Sequence, residues 1–135
     1  MSEGSAPAAR SRVVHWIAVI WLFLMMAQPT MDNARALLNG AFVQGDLHVE
    51  ATFANMFFQG VGTVMGWLGF VWFVQRQKRG AYLGIMAHMV GLGAAVVQLP
   101  ELVFSTMSPP VIVSLLAVIV AVSLGPIFAF QDEYT

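Results

Sequence analysis

Thr52, Asn55, Gln59 and Gln98, with His48 and Glu101 close by in sequence, are the side chains best suited to hold a ligand, because they bring hydrogen-bonding groups into stretches built mostly of apolar residues. Polar groups in such surroundings are costly unless they satisfy one another, water or a bound molecule. Two kinds of chemistry are open to them. As amides and a hydroxyl they can join helices through hydrogen bonds, worth typically about 0.6 kcal/mol each in a membrane. As convergent donors and acceptors they can line a pocket, in which the Glu101 carboxylate would carry a proton or engage a cationic ligand. At the water interface, Glu101 would instead be an ordinary solvated acid.

Asp46, His48 and Glu50 form an alternating D-x-H-x-E run. In an extended segment period two points all three to one side, where they could ligate a divalent ion. In a helix only Asp46 and Glu50 share a face, and acidic groups at a helix start are favoured by its dipole. No second histidine lies near to complete a zinc site, so no metal is expected.

His88 has two readings as well. A neutral imidazole there can donate to a backbone carbonyl or to Thr63; alternatively His88 ligates a b-type haem, with His15 as second axial ligand. Eight residues at 1.5 Å each put His88 about 12 Å inside its span. His15 is only two or three residues into its own, so the depths match poorly and no cofactor is expected. The chain has no cysteine, which excludes disulfides, thiol nucleophiles and thiolate metal sites. It has no Ser-His-Asp order and no phosphate-cradling glycine loop before a helix. A formal charge of -1 gives no sign of a nucleic-acid partner.

The elements that must position these groups follow from composition. The sequence is 59% hydrophobic and 10% charged, against about 25% charged in soluble domains. Residues 13–31, 51–75, 80–100 and 102–131 contain no Asp, Glu, Lys or Arg. About 20 helical residues cross the roughly 30 Å hydrocarbon core, and each stretch supplies that many. The expectation is an all-α integral membrane protein, a four-transmembrane-helix bundle in the lipid bilayer, with helices at about 13–31, 51–75, 80–105 and 110–130 in a single domain over 12–131. A disordered tail, 1–11, precedes it and a short acidic tail, 132–135, follows.

Arg10, Arg12, Arg76, Lys78 and Arg79 fall at one set of helix ends, which predicts cytoplasmic termini and a multi-pass protein of the cell (inner) membrane. The amino end resembles a secretory signal, but Met25 and Ala27 make a poor cleavage site at Gln28, which favours a retained first span. The external connection between the first two spans reads as partly helical: Pro29 ends or kinks the first span, residues 32–38 form a short helix stopped by Asn39 and Gly40, and Gly45 with Asp46 makes a turn.

Two rows share a 4-3 rhythm. His48, Thr52, Asn55, Gln59, Gly62, Gly66 and Gly69 lie on one segment, and Gly84, His88, Gly91, Ala95, Gln98, Leu102 and Ser105 on the next. Such spacing keeps a row on one helix face. An antiparallel hairpin turning near 76–80 would oppose Gly69 to Gly84, Gly66 to His88, Gly62 to Gly91, Gln59 to Ala95 and Asn55 to Gln98. Gly62 and Gly66 form a GxxxG pair that lets helix backbones approach closely. The last span is apolar all round apart from Ser114 and Ser123, as suits a face toward lipid or a partner.

In size and layout, four short helices with a long first external connection, the chain is similar to small bacterial four-span proteins such as the DoxX-like group. That resemblance implies the layout alone and carries no site across. The function expected from the residues is non-enzymatic: binding of a hydrophobic partner, either another membrane protein, a second copy of this chain, or a lipid-like small molecule. A rival is a small-molecule or proton-coupled transporter using Glu101 with Asn55, Gln59 and Gln98. A third class is an intramembrane enzyme, such as an isomerase, with His48 or Glu101 as acid or base.

Overall fold

A computed structural model describes residues 5–135, with side chains from residue 8 onward. The elements run α1 (Ser5–Asn39), β1 (Ala41–Gln44), β2 (Leu47–Glu50), α2 (Phe53–Val74), α3 (Lys78–Gln98), α4 (Pro100–Thr106), α5 (Pro109–Ala129) and a closing 3-10 turn (Gln131–Glu133). Four of the helices, over Ala8–Asn39, Phe53–Val74, Lys78–Gln98 and Pro109–Ala129, are long and apolar enough to cross a membrane. Ile17, Ile20, Val64 and Val113 lie exposed on their outer faces. Side chains of that kind suit lipid contact better than water.

The first helix differs most from expectation. Of the tail expected over residues 1–11, 1–4 lie outside the described residues and 5–11 are already helical. At the other end α1 does not stop at Pro29 but absorbs the expected short helix and ends at Asn39. Proline removes one hydrogen bond from the helix ladder. The Thr30 hydroxyl donates to Met26 O at 2.7 Å, which engages a carbonyl of the turn Pro29 disturbs, and residues 34–38 are mostly good helix formers. A helix of 35 residues is about 52 Å long at 1.5 Å per residue and projects beyond a hydrocarbon core of about 30 Å.

The fold is not purely α-helical. After Gly40, which ends α1 with φ 70, β1 and β2 pair antiparallel with Ala41 opposite Glu50, Phe42 opposite Val49, Val43 opposite His48 and Gln44 opposite Leu47. Gly45 and Asp46 form the two-residue connection. Gly45 takes φ 59, a conformation that tight hairpin turns require and that glycine adopts without strain.

Thr52 caps α2, its hydroxyl accepting from Asn55 N at 3.4 Å. The third span is shorter than the expected 80–105, because Pro100 cannot continue the ladder and restricts Leu99, which sits at φ -131, ψ 45 between α3 and α4.

Helices α2 and α3 pack antiparallel as the central pair, with α1 and α5 against them. A Cβ at Gly69 would lie 2.7 Å from Gly84 N, and one at Gly62 would lie 3.3 Å from the Gly91 backbone, so the helices touch in the register expected from the two rows. Opposite Gly66, the nearest occupant is the Met26 side chain of α1. The buried core gathers Ala18, Val19, Leu22, Phe73, Ala81, Ile127 and Tyr134 toward the end of the bundle where both termini meet. At that end the Thr135 backbone brackets the α2–α3 turn, with Thr135 N donating to Arg76 O at 3.0 Å and Lys78 N donating to Thr135 O at 2.6 Å.

Candidate functional site

A cavity of about 660 Å³ opens among α1, α2, α3, α4, α5 and the first strand. It extends from Asn39 and Gln44, at the hairpin end, down to Met25, Thr63, Ala87 and Ile119 near mid-helix. Fourteen residues of α1 separate Met25 from Asn39, a depth of about 21 Å along the helix. The walls are mostly apolar, including Met26, Leu92, Ala95, Leu99, Leu115 and Ile119, whereas Asp32, Arg35, Asn39 and Gln44 are polar and belong toward the hairpin end.

A short hydrogen-bonded belt crosses the middle. Asn33 Nδ2 donates to Thr63 Oγ1 at 3.1 Å, and the Thr63 hydroxyl donates to Gln59 O at 2.8 Å. Gln59 Nε2 donates across the helix pair to Gly91 O at 3.0 Å. His88 donates from Nδ1 to Gly84 O at 2.7 Å, leaving a buried Nε2 with no hydrogen-bond partner. On the outer side of the same region, Trp67 Nε1 donates to Thr30 Oγ1 at 2.9 Å and ties α2 to α1.

Of the six expected ligand-binding residues, only Gln59 lines this cavity. Asn55 is buried, but Nδ2 donates to Glu50 O at 3.0 Å, so the amide fastens the start of its own helix. Thr52 is the cap of that helix. Gln98 is partly buried, with Oε1 unpartnered, and makes no hydrogen bond to Asn55. His48 and Glu101 are exposed, the latter in the first turn of α4. Of the residues assigned to a transport site, Gln59 alone lines the cavity, and no hydrogen bond joins Asn55, Gln59, Gln98 and Glu101 to one another.

Asp46, His48 and Glu50 are exposed on the hairpin, and no group of three or more potential metal ligands forms among the described residues. The packing residues contribute more than expected. Gly62, His88, Gly91 and Ala95 all form cavity wall.

Asn33, Thr63, Met25 and Met26 are cavity residues that sequence reasoning missed. The signal was present. Met26, Thr30 and Asn33 follow the same 4-3 rhythm as the central rows, but it becomes a continuous face only if α1 runs through Pro29.

A second polar cluster occupies the end of the bundle where the termini meet. Ser11, His15 and Tyr134 are buried. A carbonyl can only accept, so His15 Nε2 donates to Val74 O at 3.3 Å, while Nδ1 faces the Tyr134 hydroxyl at 2.7 Å. Phe73 stacks on the imidazole with ring centroids 5.3 Å apart. Arg76 donates to Ser11 Oγ at 3.1 Å, pairs with Glu133 and lies over the Tyr134 ring. Residues of the expected acidic tail thus form a latch.

Ser11 and Arg76 beside Glu133 hold its carboxyl below the ordinary value of 4.5. Burial pushes the Tyr134 phenol above its ordinary 10.0. A lowered carboxylate contributes stability above its ordinary value and loses it as pH falls through the folded value; a raised phenol contributes below its ordinary value and loses it as pH rises through the folded one. Exchange protection of the Thr135 and Lys78 amides should therefore persist as pH falls past 4.5 and fail only in more acidic solution, and at the alkaline end should outlast pH 10.0. Loss of protection already between about pH 5 and 4.5 would show that the Glu133 contacts do not hold the latch.

Compared with known protein families, with curated proteins and with solved structures, the chain matches none. The class is defined by architecture alone: a helical bundle with four candidate membrane spans and a deep, mostly apolar cavity.

Proposed function

We propose that the chain is a multi-pass protein of the cell (inner) membrane, with both termini cytoplasmic, that binds a lipid-like or other small hydrophobic molecule in the cavity without transforming it. The observation that carries this reading is the cavity: about 660 Å³ with apolar walls and a few polar side chains at its middle. Ligand sites usually occupy about 300–1,000 Å³ and have the same division of labour. The orientation rests on Arg10, Arg12, Arg76, Lys78 and Arg79, which belong to the end where the termini meet.

Ala95 lines the cavity on α3, and Ala95→Phe would fill part of it. Mass spectrometry of lipids co-purifying in mild detergent should then show bound material reduced about tenfold, the equivalent of about 1.4 kcal/mol. Equal amounts bound to a folded Ala95→Phe protein would refute binding in this cavity.

A further inference from the structure

We infer that the ligand of this cavity is an apolar molecule carrying a hydroxyl head, a monoalkyl diol or monoacylglycerol type of group, and that Asn33 and Gln59 recognise it. This rests on the cavity-binding reading above and adds the chemistry of the head group.

The amide orientations are set by their partners. Gly91 O can only accept, so the Gln59 atom facing it is Nε2, and Oε1 is the atom left over. The Thr63 hydroxyl uses its hydrogen on Gln59 O, so it can only accept from Asn33, which fixes Asn33 Nδ2 toward Thr63 and leaves Oδ1 free. Neither Gln59 Oε1 nor Asn33 Oδ1 receives a hydrogen bond among the described residues, and neither is fully buried. Both residues line the cavity.

His88 does not take part: its Nδ1 proton is committed to Gly84 O, and Nε2, although without a partner, is buried away from the cavity surface.

The two amides therefore each leave a free oxygen and one N–H side by side on the cavity wall. A hydroxyl both donates and accepts, so it can match an amide oxygen and the residual N–H together. An ether, ester or carboxylate only accepts and would leave the amide oxygens facing oxygen, uncompensated in an apolar site. The apolar walls, with Met25, Met26, Leu92, Leu115 and Ile119, suit the chain that carries the head.

The test uses the full chain in nanodiscs and two matched probes, dodecane-1,2-diol and 1,2-dimethoxydodecane, with binding followed by native mass spectrometry. The diol should bind about tenfold more tightly than its dimethyl ether, and Asn33→Leu should bring the ratio close to one. Equal affinity of the two probes, both still lost in Ala95→Phe, would overturn the hydroxyl preference while leaving cavity binding intact. Binding of neither probe would overturn both readings. Monooleoylglycerol separates the two sources of such a head: competition with the diol points to a lipid, and failure to compete while the diol still binds points to a free alcohol.

Discussion

Gly69→Ala should lower the stability of the purified protein in detergent by about 1–3 kcal/mol, the usual cost of forcing extra volume into a packed interface. Gly84→Ala should leave it unchanged or slightly raised. The two glycines face each other in the central helix pair, yet they are not equivalent. A Cβ at Gly69 would meet Gly84 N at 2.7 Å, Gly80 O at 2.9 Å and Gly84 Cα at 3.1 Å, all backbone atoms that can move only if the helices separate. A Cβ at Gly84 would meet nothing within 4 Å. The rest of the row is graded by what stands opposite. Gly62 faces the Gly91 and Ala87 backbone at 3.3 Å and should be intermediate, whereas Gly66 faces the end of the flexible Met26 side chain and should tolerate alanine better. Denaturant titration in detergent of the four alanine variants measures the order. A Gly84→Ala cost equal to that of Gly69→Ala would contradict this one-sided approach of the helices.

The grading shows how much of the fold the sequence carried. The 4-3 spacing and the antiparallel hairpin placed Gly69 on Gly84 and Gly62 on Gly91, because antiparallel helices keep register along their length. Periodicity says which residues share a face. It does not say which of two opposed Cα–Cβ bonds points into the gap, and the closest backbone approach falls at Gly69 and Gly80, beside the α2–α3 turn, and not at the GxxxG pair.

The polar residues were read less well for a related reason. Asn55 and Gln59 share a face and a chemistry, yet Asn55 sits one turn nearer the helix start, where the Glu50 carbonyl claims its amide. Gln59 has passed the last free backbone group of that turn and reaches across to α3 instead. Asn33 was hidden by the assumption that Pro29 ends a helix, and without a continuous α1 there is no wall opposite Gln59. The hairpin was missed because its strands are four residues each, too short for period two to stand out beside the longer helical patterns.

The largest single effect is expected at the other end of the bundle. Tyr134→Ala should cost about 3–5 kcal/mol, as removal of a buried aromatic ring generally does, even though the residue is second from the end of the sequence. Its side chain is 3% exposed and belongs to the same buried cluster as Phe73, Ala18 and Ile127. It also supplies the hydroxyl that faces His15 Nδ1 at 2.7 Å. Tyr134→Phe separates the two contributions. The ring stays against Phe73 and under the Arg76 guanidinium, while the buried His15 nitrogen loses its partner, at a cost of about 1–3 kcal/mol for an unsatisfied buried group. Stability in detergent should fall in the order wild type, Tyr134→Phe, Tyr134→Ala, and the exchange protection of Thr135 and Lys78 amides should fall with it, because the backbone clasp around Arg76 depends on the ring being seated. A Phe variant as stable as wild type would remove the hydroxyl from the account. An Ala variant within about 0.5 kcal/mol of wild type, the range of an ordinary surface substitution, would show that the tail does not close this end of the bundle.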